Sequence, residues 1–176
     1  MQNLPRSEVH DRYERGVGLV AVVGPGEAGA AELAAAYAVG AGLARAGALV
    51  LTGGLGGVMA AASRGAAEAG GVTVGLLPGT DPGAANPWVR VPLATGLGEG
   101  RNLLLVRAAA VLVAVGGSWG TLSEVALAVR TGTPVVAWGG WEVRDARGAP
   151  VPGVRRAATP EEAVAQALAA HPPTGR

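Results

Sequence analysis

The chain has no cysteine, no lysine and no phenylalanine, and its two histidines, His10 and His171, stand near the ends. Without cysteine there is no disulfide framework, no thiolate nucleophile and no thiolate-bound zinc, and the cytoplasm is the expected compartment. All 14 basic residues are arginine. The missing lysine removes Schiff-base and pyridoxal phosphate chemistry, and also the P-loop, whose lysine reaches the phosphates. With histidine confined to the ends, neither a His-centred triad nor a metal site is expected. Charge is scarce too. Charged residues make up 15% of the chain and the formal net charge is +1. That gives no electrostatic footprint for nucleic acid or an anionic membrane. No apolar run reaches membrane-spanning length without a glycine, proline or charge. The polar stretch 1–16 lacks the apolar core of a signal peptide and reads as a solvated N-terminal arm. The catalytic alphabet left is Asp, Glu, Arg, Ser, Thr, Tyr and the backbone amides.

What is present is apolar and glycine-rich: 49% hydrophobic residues and 30 glycines in 176 residues. Residues 17–176 read as a single domain with a core of its own. Continuous apolar runs, as in a sheet buried on both faces, predict strands at 17–23, 48–52, 72–77 and 110–115. Residues 134–138 predict another. A weaker strand at 88–93 is expected at an edge, because Pro92 cannot donate to a ladder. Helices are predicted from about 30 to 46, 58 to 69, 98 to 109, 121 to 130 and 159 to 170. The segment 139–153 is expected to be a polar loop. Strands alternating with helices predict a doubly wound, mainly parallel Rossmann-like α/β sheet with helices on both faces.

Three glycine turns follow three of these strands. The first, Gly24-Pro25-Gly26-Glu27-Ala28-Gly29, spells G-x-G-x-x-G. A dinucleotide site also needs an acid about twenty positions on, at the end of the second strand. That strand ends Thr52-Gly53-Gly54, so the ribose-binding half is missing. The second turn is Gly53-Gly54-Leu55-Gly56-Gly57, running into Val58 and Met59. The third is Gly116-Gly117-Ser118-Trp119-Gly120-Thr121, with Glu124 just behind it. Three amide-rich turns at one sheet edge point to a phosphate or nucleotide pocket. For Glu124 the residues leave two readings. Thr121-x-x-Glu124 is a capping box, like Thr159-Pro160-Glu161-Glu162 later in the chain. Equally, a carboxylate beside an anion site can do chemistry. Met59 and Trp119 are expected to pack into the core, and Glu27 and Asp81 to be solvated.

These motifs resemble the Rossmann-type LOG superfamily, formerly labelled "lysine decarboxylase". The residues that carry the resemblance are Thr52 to Met59, Gly70-Gly71, Leu76 to Gly79, Gly100-Arg101-Asn102 and Gly116 to Glu124. Val23 to Gly26 and Thr95 to Gly98 are similar to the bacterial branch that includes molybdenum cofactor carrier proteins. The resemblance covers about 17–140. The superfamily signature P-G-G-x-G-T-x-x-E falls on Gly116 to Glu124, with Gly116 for the proline and Ser118 for a glycine. An R-K-x-x-M motif falls on Arg101 to Leu105, where Asn102 and Leu105 replace the lysine and methionine.

The resemblance implies Glu124 and Arg101 as a catalytic pair. It implies phosphate or nucleotide binding by Gly24, Pro25, Gly26, Gly53, Gly54, Gly56, Gly57, Val58, Met59, Asn102, Gly116, Gly117, Ser118, Trp119, Gly120 and Thr121. The activity expected is that of a nucleoside 5′-monophosphate phosphoribohydrolase, releasing free base and ribose 5-phosphate, and not lysine decarboxylation. A carboxylate can stabilise the oxocarbenium-like state or activate water, and an arginine can grip phosphate. The alternative is a non-catalytic binder or carrier of a phosphorylated ligand such as molybdenum cofactor, or a nucleotide-sensing module. No cofactor is expected to be required. The bound ligand expected is a nucleotide, phosphate or molybdenum cofactor. The expected partner is thus a small phosphorylated molecule, with no nucleic acid and no membrane. The helices near 98–109 and 121–130 are apolar on more than one face, which together with the resemblance predicts a homodimer or higher homo-oligomer.

Overall fold

Leu19–Val23 (β1) and Val111–Val115 (β5) are short, wholly apolar and almost completely buried, so each has a core on both sides. They lie side by side at the centre of the sheet. Their register pairs Val20 with Val111 and Val23 with Ala114, so the loops leaving them start together. Five further strands flank them: Leu49–Thr52 (β2), Thr73–Leu77 (β3), Val91–Ala94 (β4), Val135–Trp138 (β6) and Val154–Ala157 (β7). The order is β4-β3-β2-β1-β5-β6-β7 and every neighbouring pair is parallel. The chain winds outward from β1 to β4, then returns to β5. The switch point of this doubly wound sheet therefore falls between β1 and β5. This is a computed structural model, and it describes residues 18–170. The predicted arm at 1–16 and both histidines lie outside the described residues.

Among the described residues five α-helices cover the two faces: Ala30–Arg45 (α1), Val58–Glu68 (α2), Arg101–Ala108 (α3), Trp119–Thr131 (α4) and Pro160–Ala170 (α5). Alternation along each strand sends one set of side chains to each face. Val20, Val22, Val50, Val111 and Val113 meet Val39 and Leu43 of α1, Ala62 of α2 and Ala163 of α5. Ala21, Val23, Leu51, Leu112 and Ala114 meet Leu105 and Val106 of α3 and Ala128 of α4. Each fully buried leucine contributes about 1.5–3 kcal/mol. On the first face α1 and α2 touch backbone to backbone. A side chain at Gly40 would collide with the Ala62 carbonyl, and one at Gly65 with the Tyr37 carbonyl.

The elements depart from the sequence reading in several places. The edge strand is 91–94 rather than 88–93, with Pro92 tolerated because β4 pairs only with β3. The helix expected over 98–109 begins with a 3₁₀ turn at Gly98–Gly100 before α3. Strand β7 was not expected. It is a four-residue edge strand in which Arg155 and Arg156 break the apolar pattern. The 139–153 segment folds back on itself, with Arg144 bridged to Pro150 and the Val151 N–H donating to the Val143 carbonyl at 2.9 Å. Among the described residues no helix is long and apolar enough to cross a membrane.

Candidate functional site

The three glycine turns leave the same edge of the sheet and touch one another. A side chain at Gly24 would strike the Val115 carbonyl at the end of β5 and the Val58 side chain at the start of α2. Gly57 has φ +58° and lies against the Pro25 and Gly26 carbonyls, where only glycine fits. The Val58 N–H donates to the Pro25 carbonyl at 3.1 Å, locking the second turn onto the first. Asn86 clamps the second turn from outside. Its amide donates to the Gly54 and Leu55 carbonyls at 3.1 and 3.0 Å. Gly116 has φ +70°, and a side chain there would meet the Glu32 carboxylate.

At the third turn the helix cap differs from the sequence reading. Thr121 does not cap α4; Ser118 does, one turn earlier. Ser118 is extended, and its Oγ accepts from the Thr121 N–H at 3.2 Å. The two hydroxyls are 2.9 Å apart. Two hydroxyl residues three apart can each cap a helix, and the one nearer the strand does so. Glu124 is thereby moved into the second turn, where among the described residues it forms no cap. At the later box the threonine half forms, with the Glu162 N–H donating to Thr159 Oγ1 at 3.1 Å, while the Glu162 carboxylate accepts from the Ala158 N–H at 2.7 Å, one residue before the cap.

Freed from capping, Glu124 faces Arg101 of α3. Arg101 Nη1 is 3.8 Å from Glu124 Oε1, too long for a hydrogen bond. Both residues are buried, 8% and 7% exposed. The guanidinium lies over bare Gly53 and beside the Met59 sulfur; a Cβ at Gly53 would come within 2.5 Å of Nη1. Arg101 Nε and Nη1 have no hydrogen-bond partner among the described residues. Burial lifts the Glu124 carboxyl from 4.5 to about 7, with the Arg101 charge working against the rise. Burial likewise lowers the Arg101 pKa, against the pull of Glu124. The result is a desolvated cation with open donors beside a carboxyl that titrates near neutrality. In the first turns of α2 and α4, the N–H groups of Met59, Ala60, Trp119 and Gly120 have no partner among the described residues.

The other expected site residues divide. Gly24, Pro25, Gly26, Gly53, Gly54, Gly56, Gly57, Gly116, Gly117, Ser118 and Gly120 form the joined turns. The N–H groups of Val58, Gly116 and Thr121 are already used within the chain, and the Val58 and Thr121 side chains are buried. Asn102 reaches Ser123 Oγ at 3.5 Å. Neither Met59 nor Trp119 joins the core: Met59 is half-buried, its sulfur beside Gly53 and the Arg101 guanidinium. Trp119 is 79% exposed, because the first position of α4 points away from the sheet, and it meets the Trp141 ring edge-on at 4.9 Å.

The sequence reading missed Glu32, Asn86, Trp141 and Arg156. Only Glu32 carried a signal, a glutamate three residues after the Gly29 cap. Arg156 donates to the Gly139 and Trp141 carbonyls at 2.8 and 3.2 Å, and so ties the 139–153 segment to β7. Between that segment and the outer flank of α4 lies a separate cavity of about 500 Å³, lined largely by apolar side chains such as Leu122, Val125, Val129, Val143 and Val151. It shares Gly116, Gly117, Ser118 and Thr121 with the third turn but does not include Arg101 or Glu124.

The family model described as the SLOG cluster4 family matches residues 18–164. An uncharacterized protein of Archaeoglobus fulgidus is 37% identical over 145 residues, covering 82% of this chain and 91% of that protein. The molybdenum cofactor binding protein of Rippkaea orientalis superposes with a TM-score of 0.77 at 34% identity, over 86% of this chain and 96% of that one. The Moco carrier protein of Chlamydomonas reinhardtii gives 0.75 at 37% identity, over 87% and 96%.

Proposed function

The chain belongs to the SLOG cluster4 family, and from that membership we propose that it is a cytoplasmic, single-domain binder and carrier of a small phosphorylated ligand. The leading cargo is a phosphorylated pterin of the molybdenum cofactor type, as the names of two similar proteins suggest. One observation carries the reading: the buried Arg101 guanidinium has two unpartnered nitrogens. A desolvated cation without hydrogen bonds is costly, and an arriving phosphate repays that cost with charge-assisted bonds. Bare Gly53 is what lets the guanidinium lie there, since a Cβ would come within 2.5 Å of Nη1. The open amides of α2 and α4, at the positive ends of their dipoles, supply further donors. Burial pushes the Glu124 carboxyl up to about 7, and its protonated form repels an anion less.

A second reading, phosphoribohydrolase activity, is favoured by that same Glu124. A carboxyl titrating near 7 is suited to general acid–base work, and Arg101 would orient the phosphate. Incubation of the whole protein with molybdenum cofactor, and separately with nucleoside monophosphates, separates the two. The carrier reading expects cofactor to stay with the wild type through gel filtration and to be lost from Arg101→Ala. It expects no free base. Release of base that Glu124→Gln abolishes would replace it with the hydrolase. In either case the working unit is proposed to be a homodimer, joined through the exposed leucines of α3.

A further inference from the structure

The first glycine turn has the spelling of a pyrophosphate site, yet its place is taken. Glu32, in the first turn of α1, folds back on its own helix. Its Oε2 accepts from the Gly29 N–H at 2.9 Å. Its Oε1 lies against Gly116, where even a Cβ would overlap it. One carboxylate thus spans the gap between the loop after β1 and the loop after β5. This is the switch point of the sheet, where an open parallel α/β fold offers its helix N-terminus to a ligand's phosphates. Here the dipole of a 16-residue helix is already met by an internal anion. A second carboxylate on the same loop, Glu27, is exposed close by. The open donors lie elsewhere, at Arg101 and the first turns of α2 and α4.

We propose that Glu32 is a specificity-determining residue: by holding the α1 N-terminus it leaves room for one phosphate group and excludes a pyrophosphate. The proposal rests on the reading of the site as a phosphate binder, and names its ligand class as monophosphate esters. The exclusion has two parts. The carboxylate fills the space, and its charge repels a second phosphate.

Calorimetry on the full chain, with inorganic phosphate and with pyrophosphate as probes, tests it. Wild type, Glu32→Gln, Glu32→Ala and Arg101→Ala are compared, each checked for folding by far-UV circular dichroism. Wild type is expected to bind phosphate at least as tightly as pyrophosphate. Glu32→Gln keeps the Gly29 hydrogen bond and loses only the charge, so its pyrophosphate affinity rises severalfold. Glu32→Ala also opens the space, and the rise is on the order of tenfold or more, with phosphate affinity little changed. Arg101→Ala loses phosphate in every case. Phosphate binding that depends on Arg101, with an unchanged phosphate-to-pyrophosphate ratio in folded Glu32→Ala, overturns the role of Glu32 and leaves the phosphate site standing. Failure of all four proteins to bind either anion overturns both.

Discussion

At the scale of single residues, the protein keeps two side chains in states that cost stability. Glu124 holds its proton up to about pH 7 when folded, and only to about 4.5 when unfolded. Between those values the folded chain binds more protons. Its stability therefore falls as pH rises through the window and levels off above it. A pKa rise of that size corresponds to about 3 kcal/mol. Urea unfolding of wild type at pH 5 and pH 8 is expected to show a loss of that order, and Glu124→Gln to show little of it. A wild-type curve as flat as the variant's would remove the argument from burial. Arg101 gives the complementary case. Replacing both partners, Arg101→Met with Glu124→Leu, exchanges a desolvated, poorly paired ion pair for apolar chains and leaves no lone buried charge. It is expected to raise stability by about 1–3 kcal/mol while phosphate binding falls at least tenfold. Thermal melts and calorimetry on the same sample check both halves. A variant that is stabilised and still binds phosphate would show that Arg101 is not the anion's partner.

At the scale of elements, the glycines set where the site's helices start. Gly40 and Gly65 let α1 and α2 touch through their backbones, and that contact fixes the position of the α2 N-terminus beside the first turn. Helix propensity alone predicts that Gly40→Ala gains about 1 kcal/mol. The collision with the Ala62 carbonyl predicts the opposite, a loss of about 1–3 kcal/mol, with a lower melting temperature. A melting temperature that rises would mean that the helices part without cost. The same contrast explains what could be read in advance. Strands β1, β2 and β5 were legible because burial on both faces makes their residues uniformly apolar. Strand β7 was not, since an edge strand with two arginines carries no such pattern. The cap of α4 was misplaced by one turn because Ser118 and Thr121 satisfy the same local rule. The pairing of Arg101 with Glu124 came from family resemblance. Nothing local in 101–105 says that the arginine is buried, because what covers it comes from α2 and α4. Trp119 was misjudged because apolarity was taken for burial, while its place on the helix turns it outward.

At the scale of the whole molecule, the sheet's topology brings the three glycine turns to one edge, where we propose two anion positions of which the side chains leave one open. Glu32 closes the position at the switch point, and Arg101 marks the other. Arg101 opens α3, and two turns of that short helix expose Leu103 and Leu104, each 44% accessible, with Leu97 just before it at 54%. An eight-residue helix has little intrinsic stability of its own. Covering its outer face with a second copy would both remove apolar surface from water and hold Arg101 in place. Light scattering of the wild type at micromolar concentration is therefore expected to give a dimer. The double variant Leu103→Glu with Leu104→Glu puts like charges into that contact. It is expected to run as a folded monomer and to bind phosphate severalfold more weakly, although neither leucine is one of the proposed phosphate-binding residues. A folded monomer with undiminished phosphate affinity would separate assembly from binding. A double variant that remains a dimer would place the contact on another face.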